Sequence, residues 1–373
     1  MNLDAKTVNV PFLDLKKQYY NIKEKINRAI FNILKNGTFI MGKPVEIFEE
    51  NISRYLGQRS LGCASGSDSL LLSLITAGIK PGDEIITTPF TFFATAGSIA
   101  RLGAIPVFVD VQENTFNINP IKIKDAVSPK TKAIIPVHIF GLPAEMDEIL
   151  NIAKKNNLIV IEDACQSIGA EYKGQKVGTI GDFGCFSFYP TKNLGCYGDG
   201  GLITTGKIDY YNYLKKLRVH GSVEKYYHEF IGLNSRLDTI QAAVLNIKLD
   251  LIEEWNLKRR MIAKQYTIAL SDLFLLQASL DYTKHVYHQY TFLTDSKIRN
   301  SLLKYLNKNK IEAKIYYPLP LHLQKAFSMC KMNKGELPIA ELISERIISI
   351  PIFPEMEQKQ IDYVIDCIKS FFK

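Results

Sequence analysis

Short apolar runs alternate with helix-like stretches through the first 205 residues. The runs SLGCAS (60–65), EIITTP (84–89), IPVFVD (105–110), KAIIPVHI (132–139), LIVIEDA (158–164), CFSFYP (185–190) and GLITT (201–205) predict seven strands. They are apolar throughout instead of alternating, the pattern of strands covered on both faces. Segments such as SDSLLLSLITAG and AEMDEILNIAKKN between them carry a helical pattern, so the chain predicts a doubly wound α/β domain with a mainly parallel seven-stranded sheet. One long helical pattern follows over 235–270. Beyond it HQYTFLT reads as a strand, and 297–308 and 358–371 read as helices, which predicts a smaller α+β domain. The expected boundary lies near residue 250, giving a large domain over 1–250 and a small C-terminal one over 251–373.

Ligands of doubly wound sheets sit beyond the carboxyl ends of the strands, and the residues ending these runs carry the candidate chemistry. Lys192 follows CFSFYP and precedes Gly195, Gly198, Gly200 and Gly201, which let backbone approach a ligand closely. By itself this lysine is a phosphate contact, a reactive amine or a surface charge. Ala64-Ser65-Gly66-Ser67 closes one strand and opens a helix, whose free N–H groups and dipole suit a phosphate. The plain alternative is a helix capped by Ser67 or Asp68. Glu162 and Asp163 end another strand and point to opposite faces, so one of them at most reaches a site. The Gly66–Ser67 turn, Phe92, Asp163, Gln166, Ser187 and Lys192 are therefore expected along one edge.

Composition narrows the classes. At 373 residues the chain is long enough for two domains, and 46% hydrophobic with 23% charged residues is ordinary for a globular protein. No apolar run reaches the roughly 20 residues of a membrane span, and MNLDAKTVNVPFLDL lacks the pattern of a signal peptide. The net charge of +8 is dispersed, with Lys258-Arg259-Arg260 the longest basic run, which favours small anionic ligands over nucleic acid. Six cysteines without CxxC pairs or metal spacing read as small core residues of a cytoplasmic protein, and the histidines suggest no metal site. Gly37 to Lys43 imitates a P-loop, but Pro44 stands where a hydroxyl is required; Gly178, Gly181 and Gly184 lead into a strand and not a helix.

A lysine, a carboxylate and a phosphate cradle are together what pyridoxal 5′-phosphate needs: an amine for its aldehyde, an anion for its pyridine nitrogen and donors for its phosphate. PFLDLKKQY, GTFIMGKPVEIFEE, CASGSDSLLL, TTPFTFFATA, IEDACQSIGA, SFYPTKNLGCYGDGG, NSRLDTIQAAVL and YPLPLHLQ resemble, nearly end to end, the DegT/DnrJ/EryC1/StrS sugar aminotransferases. That resemblance implies the aspartate-aminotransferase fold (type I of the pyridoxal-phosphate enzymes) and a cofactor that alternates with pyridoxamine 5′-phosphate. It implies Lys192 as the Schiff-base lysine and Asp163 as the partner of the pyridinium nitrogen. Gln166 would lie near the ring hydroxyl, Phe92 would stack on the ring, and Ser187 with Gly66 and Ser67 would hold the phosphate. The family is built as a homodimer with shared sites, so Asn234 would reach the cofactor phosphate of the neighbouring subunit and Arg236 would belong there too. His220, Tyr317 and His322 fall in segments that border substrate in the family; for the histidines a structural role is the alternative, as for His285 and His288. Two departures are SGSD where SGTD is commoner, and Cys165 where alanine is frequent, read as a packing residue.

The implied reaction moves an amino group from glutamate to a nucleotide-linked keto sugar, at C3 of a UDP-3-keto-2-acetamido sugar used for bacterial surface polysaccharide or lipopolysaccharide. The alternative acceptor is a UDP- or dTDP-4-keto-6-deoxy sugar aminated at C4. A related branch that removes a sugar hydroxyl carries histidine at the lysine position, and Lys192 argues against it. A regulator that binds the cofactor without catalysis and a cofactor-free structural protein are the readings of another class.

Overall fold

The structure, a computed structural model, describes residues 8–278 and 280–373. Residues 1–7, which carry part of the reading of the N-terminus, lie outside the described residues. The first helices are α1 (Leu15–Asn36), α2 (Lys43–Leu56), α3 (Gly66–Thr76), α4 (Ala94–Arg101) and α5 (Met146–Asn156). The P-loop lookalike is punctuation between α1 and α2. Gly37 ends α1 in the left-handed conformation at φ 66°, and Pro44 opens α2, where a missing N–H costs nothing.

All seven expected runs are strands of one sheet: β1 (Ser60–Cys63), β2 (Glu84–Thr87), β3 (Ile105–Phe108), β4 (Thr131–Ile135), β5 (Ile159–Asp163), β6 (Phe183–Ser187) and β7 (Gly201–Thr204). Their spatial order is β1-β7-β6-β5-β4-β2-β3. Neighbours from β6 through β3 pair in parallel, and β7 runs antiparallel to both β1 and β6. The connection from β6 to β7 therefore turns back at the carboxyl edge of the sheet, and this is the loop that carries Lys192.

Consecutive strand residues feed two different cores, which is why the runs are apolar without interruption. Ile85, Ile135, Ile161, Cys185 and Ile203 join Leu70, Leu72 and Leu74 of α3. Their neighbours Ile86, Ile134, Val160, Phe186 and Leu202 join Phe48 and Ile52 of α2 and Ile149 and Ile152 of α5. Each such leucine or isoleucine contributes about 1.5–3 kcal/mol by leaving water. Ser69 and Ser73 of α3 are buried with it and return their hydroxyls to the helix, Ser69 to Gly66 O (2.7 Å) and Ser73 to Ser69 O (2.8 Å).

The helix expected over 235–270 is two helices, α6 (Thr239–Leu249) and α7 (Ile252–Leu270), and residues 235–238 are not helical. Leu251 N bonds Lys248 O, three residues back, and the ladder restarts from there. The break lets the apolar stripe change cores. Ala242, Leu245 and Leu249 pack on the large sheet, whereas Ile262, Tyr266 and Leu270 pack in a second core. That core sits on the antiparallel strands β8 (Leu275–Leu276), β9 (Tyr290–Leu293) and β10 (Ile347–Ile350), with β9 central. Helices α8 (Ser296–Lys308) and α10 (Gln358–Phe371) cover it, Val10 from the N-terminal segment joins it, and α9 (Pro338–Arg346) leads into β10. No helix among the described residues is long and apolar enough to cross a membrane.

Candidate active site

A cavity of about 720 Å³ opens at the carboxyl edge of the sheet. Gly66, Ser67, Phe92, Asp163, Gln166, Ser187 and Lys192 all line it, as expected, and so does Tyr317.

At one end the chain passes from β1 into α3. Ser65, not Ser67 or Asp68, is the cap: its hydroxyl accepts from Asp68 N at 3.1 Å. The N–H groups of Gly66 and Ser67, in the first turn, have no helical acceptor and stand at the positive end of the helix dipole. The Asp68 carboxylate turns away and accepts from Ser235 Oγ at 2.7 Å, which leaves the helix start free for an anion. Space here is tight. A Cβ on Gly66 would stand 2.6 Å from Ser187 Cβ and 3.0 Å from Cys165 Sγ.

Asp163 ends β5 at the cavity wall, 5% exposed. Its Oδ2 accepts from Thr95 Oγ1 (2.7 Å) and its Oδ1 from Cys165 N (3.2 Å). Thr95 in turn lies 3.0 Å from Thr91 Oγ1. Because Thr95 donates to a carboxylate, Thr91 is the donor of that second bond. Sequence reasoning did not find these threonines, since nothing in TFFATA distinguishes a carboxylate partner from an ordinary helix start.

Glu162, on the opposite face of β5, accepts from His138 Nε2 (3.0 Å) and from the N–H groups of Gly178, Ile180 and Gly181 (2.7 Å each). The GxxGxxG spacing thus belongs to a loop folded around a buried carboxylate. Ala144 N donates to His138 Nδ1 at 3.0 Å, so the His138 proton is on Nε2.

Lys192 is half-buried in the cavity, and among the described residues its Nζ has no hydrogen-bond or ion-pair partner. Burial pushes its pKa down, while Cys165 and Asp163 pull it back up. Burial raises the Cys165 thiol well above its ordinary range, which suits a packing residue and not a nucleophile. Gln166 is held at both ends of its amide: Oε1 accepts from Phe140 N (2.7 Å) and Nε2 donates to Tyr317 Oη (3.0 Å). Burial also pushes the Tyr317 phenol up, so it stays protonated.

Four expected residues do not line this cavity. Asn234 is exposed and Arg236 half-buried, with Arg236 Nε enclosed and without an acceptor. His220 is exposed at φ 64°. His322 is buried, with Nε2 3.1 Å from Glu341 Oε1, in a bond that ties its segment to α9. His288 and Gln289, by contrast, do line the cavity. Among the described residues no group of histidine, cysteine and carboxylate side chains could hold a metal ion.

Known proteins resemble this chain over nearly its whole length. The model of the DegT/DnrJ/EryC1/StrS aminotransferase family matches residues 20–369. The chain is 46% identical to a pleiotropic regulatory protein of Geobacillus stearothermophilus, over 98% of this chain and 99% of that one. It is 41% identical to the UDP-N-acetyl-3-dehydro-alpha-D-glucosamine 3-aminotransferase of Acidithiobacillus ferrooxidans, over 96% and 97%. Among solved structures, S. venezuelae DesV in complex with a ketimine intermediate superposes with a TM-score of 0.95 at 38% identity, covering 97% of this chain and 98% of that one.

Proposed function

We propose, from the premise that this chain belongs to the DegT/DnrJ/EryC1/StrS aminotransferase family, that it moves an amino group from glutamate to C3 of a UDP-linked 3-keto-2-acetamido sugar. The enzyme is a pyridoxal-phosphate-dependent aminotransferase of nucleotide-linked keto sugars. The identity of 41% to an enzyme named for C3 amination of a UDP-N-acetyl sugar supports the choice of carbon and nucleotide. Such amino sugars serve bacterial surface polysaccharides.

The observation that carries the reading is the meeting of Lys192, Asp163 and an open helix N-terminus at one cavity. These residues fit the cofactor. The N–H groups of Gly66 and Ser67 with the Ser187 hydroxyl suit its phosphate, in a cradle that a Cβ on Gly66 would fill. The buried Asp163 carboxylate, fixed by Thr95 and Cys165 N, suits a protonated pyridine nitrogen. Phe92 offers a flat apolar wall, and Gln166 is oriented to meet the ring hydroxyl. When bound, pyridoxal phosphate supplies an aldehyde that carries the amino group between substrates and a ring that draws off the electron pair of a deprotonated carbon.

Lys192 holds the cofactor between turnovers and, once released, takes the proton from the donor carbon and returns it on the other side of the transfer. It must be neutral to do so, and its burial favours the neutral amine. We place Asn234 and Arg236 at the cavity of a second copy in a homodimer, Asn234 toward the cofactor phosphate and Arg236 toward an anionic part of the substrate. An adjoining cavity of about 560 Å³ shares Thr191, His288, Gln289 and Tyr316 with the first and carries Lys16 and Lys314, room suited to a nucleotide diphosphate.

The test supplies purified enzyme with glutamate and, separately, the 3-keto and 4-keto UDP sugars. Amination of the 3-keto compound is expected, and turnover of only the 4-keto compound overturns the C3 reading. A protein that binds the cofactor and aminates neither would be a regulator, the role in the name of the Geobacillus relative.

A further inference from the structure

His288 lines the cavity beside Lys192, and its hydrogen bonds fix which of its nitrogens carries the proton. Asn193, the residue after Lys192, donates from Nδ2 to Val286 O (3.0 Å) and to Asn256 Oδ1 (2.8 Å). Val286 O is a main-chain carbonyl and accepts only, so the amide of Asn193 has one orientation. Asn256 confirms it, because its own Nδ2 donates to Ile168 O at 3.0 Å. Asn193 Oδ1 is therefore an acceptor, and His288 Nδ1, 3.2 Å away, is the donor. A neutral imidazole has one N–H, and burial, Lys192 and Arg259 all hold His288 neutral. Its Nε2 then carries a lone pair and no proton. Gln289 Nε2 stands 3.5 Å from it, the outer limit of a hydrogen bond.

A lysine amine without a partner thus shares a cavity with an imidazole nitrogen whose proton is locked on the far side. We propose that His288 positions Lys192 during turnover, its Nε2 accepting one N–H of the lysine amine once substrate has displaced that amine from the cofactor, so that the lysine lone pair points into the cavity. The inference rests on the reading of Lys192 as the amine that moves the proton. As –NH2, Lys192 spends one N–H on His288 and keeps its lone pair for the donor carbon. On taking the proton it becomes –NH3⁺ with that hydrogen bond intact, and His288 itself neither gains nor loses a proton.

Two variants separate the two nitrogens. Asparagine places an N–H where Nδ1 stood and nothing at Nε2; glutamine places an acceptor where Nε2 stood. In single-turnover reaction with glutamate, His288→Asn should slow proton transfer roughly 3- to 10-fold, the worth of one neutral hydrogen bond. Its isotope effect with α-deuterated glutamate should increase, with KM for glutamate changed less than twofold. His288→Gln should recover most of the rate. A wild-type rate in His288→Asn, or a His288→Gln no faster than it, overturns the proposal. Independently, the cofactor-free protein labelled with ¹⁵N-histidine should show His288 protonated on Nδ1, its signals assigned by their loss in His288→Asn; protonation on Nε2 overturns the proposal whether or not the variants retain activity. A wild-type protein inert to glutamate but protonated on Nδ1 would sink the functional reading and leave the tautomer standing.

Discussion

Gly66→Ala is the most direct test of the cradle. The added Cβ would stand 2.6 Å from Ser187 Cβ and 3.1 Å from Ser187 Cα, where carbon atoms ordinarily approach to about 3.5–4.0 Å. Rotating the serine side chain cannot relieve contacts to its Cα and Cβ, so the start of α3 and the end of β6 must separate by roughly 1 Å. Overpacking of this kind costs about 1–3 kcal/mol. Gly66 does not have a positive φ, so the whole effect is steric. If the strain is relieved by opening the cradle, phosphate affinity bears it, about 5- to 150-fold in Kd. The assay titrates cofactor-free protein with pyridoxal 5′-phosphate and, separately, with pyridoxal, which lacks the phosphate, following the absorbance of each. The variant should lose affinity for the phosphorylated compound and keep nearly all of its affinity for pyridoxal. Equal losses for both, or no loss for either, would refute the assignment of this turn to the phosphate.

Three further expectations concern other parts of the molecule. Borohydride should fix the cofactor on the Lys192 peptide, and Lys192→Ala should abolish transamination; labelling of another lysine would sink the assignment. Lys192→Ala and Asn234→Ala chains, mixed under conditions where subunits exchange and with each variant shown to be impaired, should regain part of the activity, and no recovery would rule against a shared site. Lys248 is buried with its amine on Gln18 Oε1 (2.8 Å) and Gly195 O (2.7 Å), and burial lowers its pKa to about 8. Its folded pKa lies below that of the unfolded chain, about 10.4, so above pH 8 the unfolded chain binds more protons and stability rises with pH. Measured by denaturant melts, wild type should gain about 1 kcal/mol on Lys248→Met between pH 8 and 9, and a difference constant across that range would contradict it.

The large sheet was legible because burial on both faces writes each strand as an unbroken apolar run. In the second sheet only Tyr290–Leu293 was anticipated. Leu275–Leu276 is too short to show a period, and Ile347–Ile350 follows helix α9 without a turn between them. The cavity residues that end strands were legible for the same reason as the strands. Ser65 was passed over as a cap because three candidate capping residues stand within four positions, and only the backbone geometry chooses among them. Thr95 and His288 take their roles from Asp163 and Asn193, 68 and 95 residues away, and no local pattern carries such a pairing. His322 shows the converse. Its place in YPLPLHLQ looked like a substrate contact, yet its partner Glu341 lies in α9 and the pair ties loop to helix.

Charge bears on how the site is completed. The ionisable groups lining the main cavity are Asp163, Lys192, Asp199, a buried neutral His288, Cys165 and three tyrosines, with no arginine among the described lining residues. The proposed donor, glutamate, brings two carboxylates, and a nucleotide sugar brings a diphosphate. The only fixed cation in that lining, Lys192, must become neutral to do its work, so it cannot also be the counter-charge. One source of positive charge is the adjoining cavity, where Lys16, Lys314 and Arg259 face Asp14 and Glu312. Both of those acids are already occupied, Asp14 as the cap of α1 and Glu312 by Phe12 N. The other is Arg236, whose enclosed Nε has no acceptor among the described residues. Arg236 is half-buried, and in the homodimer proposed above its guanidinium would supply the missing cation to the cavity of the second copy. If the proposed homodimer forms in this way, the C3 or C4 preference would be set by residues of two chains, because the anionic groups that orient the sugar over Lys192 would be held from both.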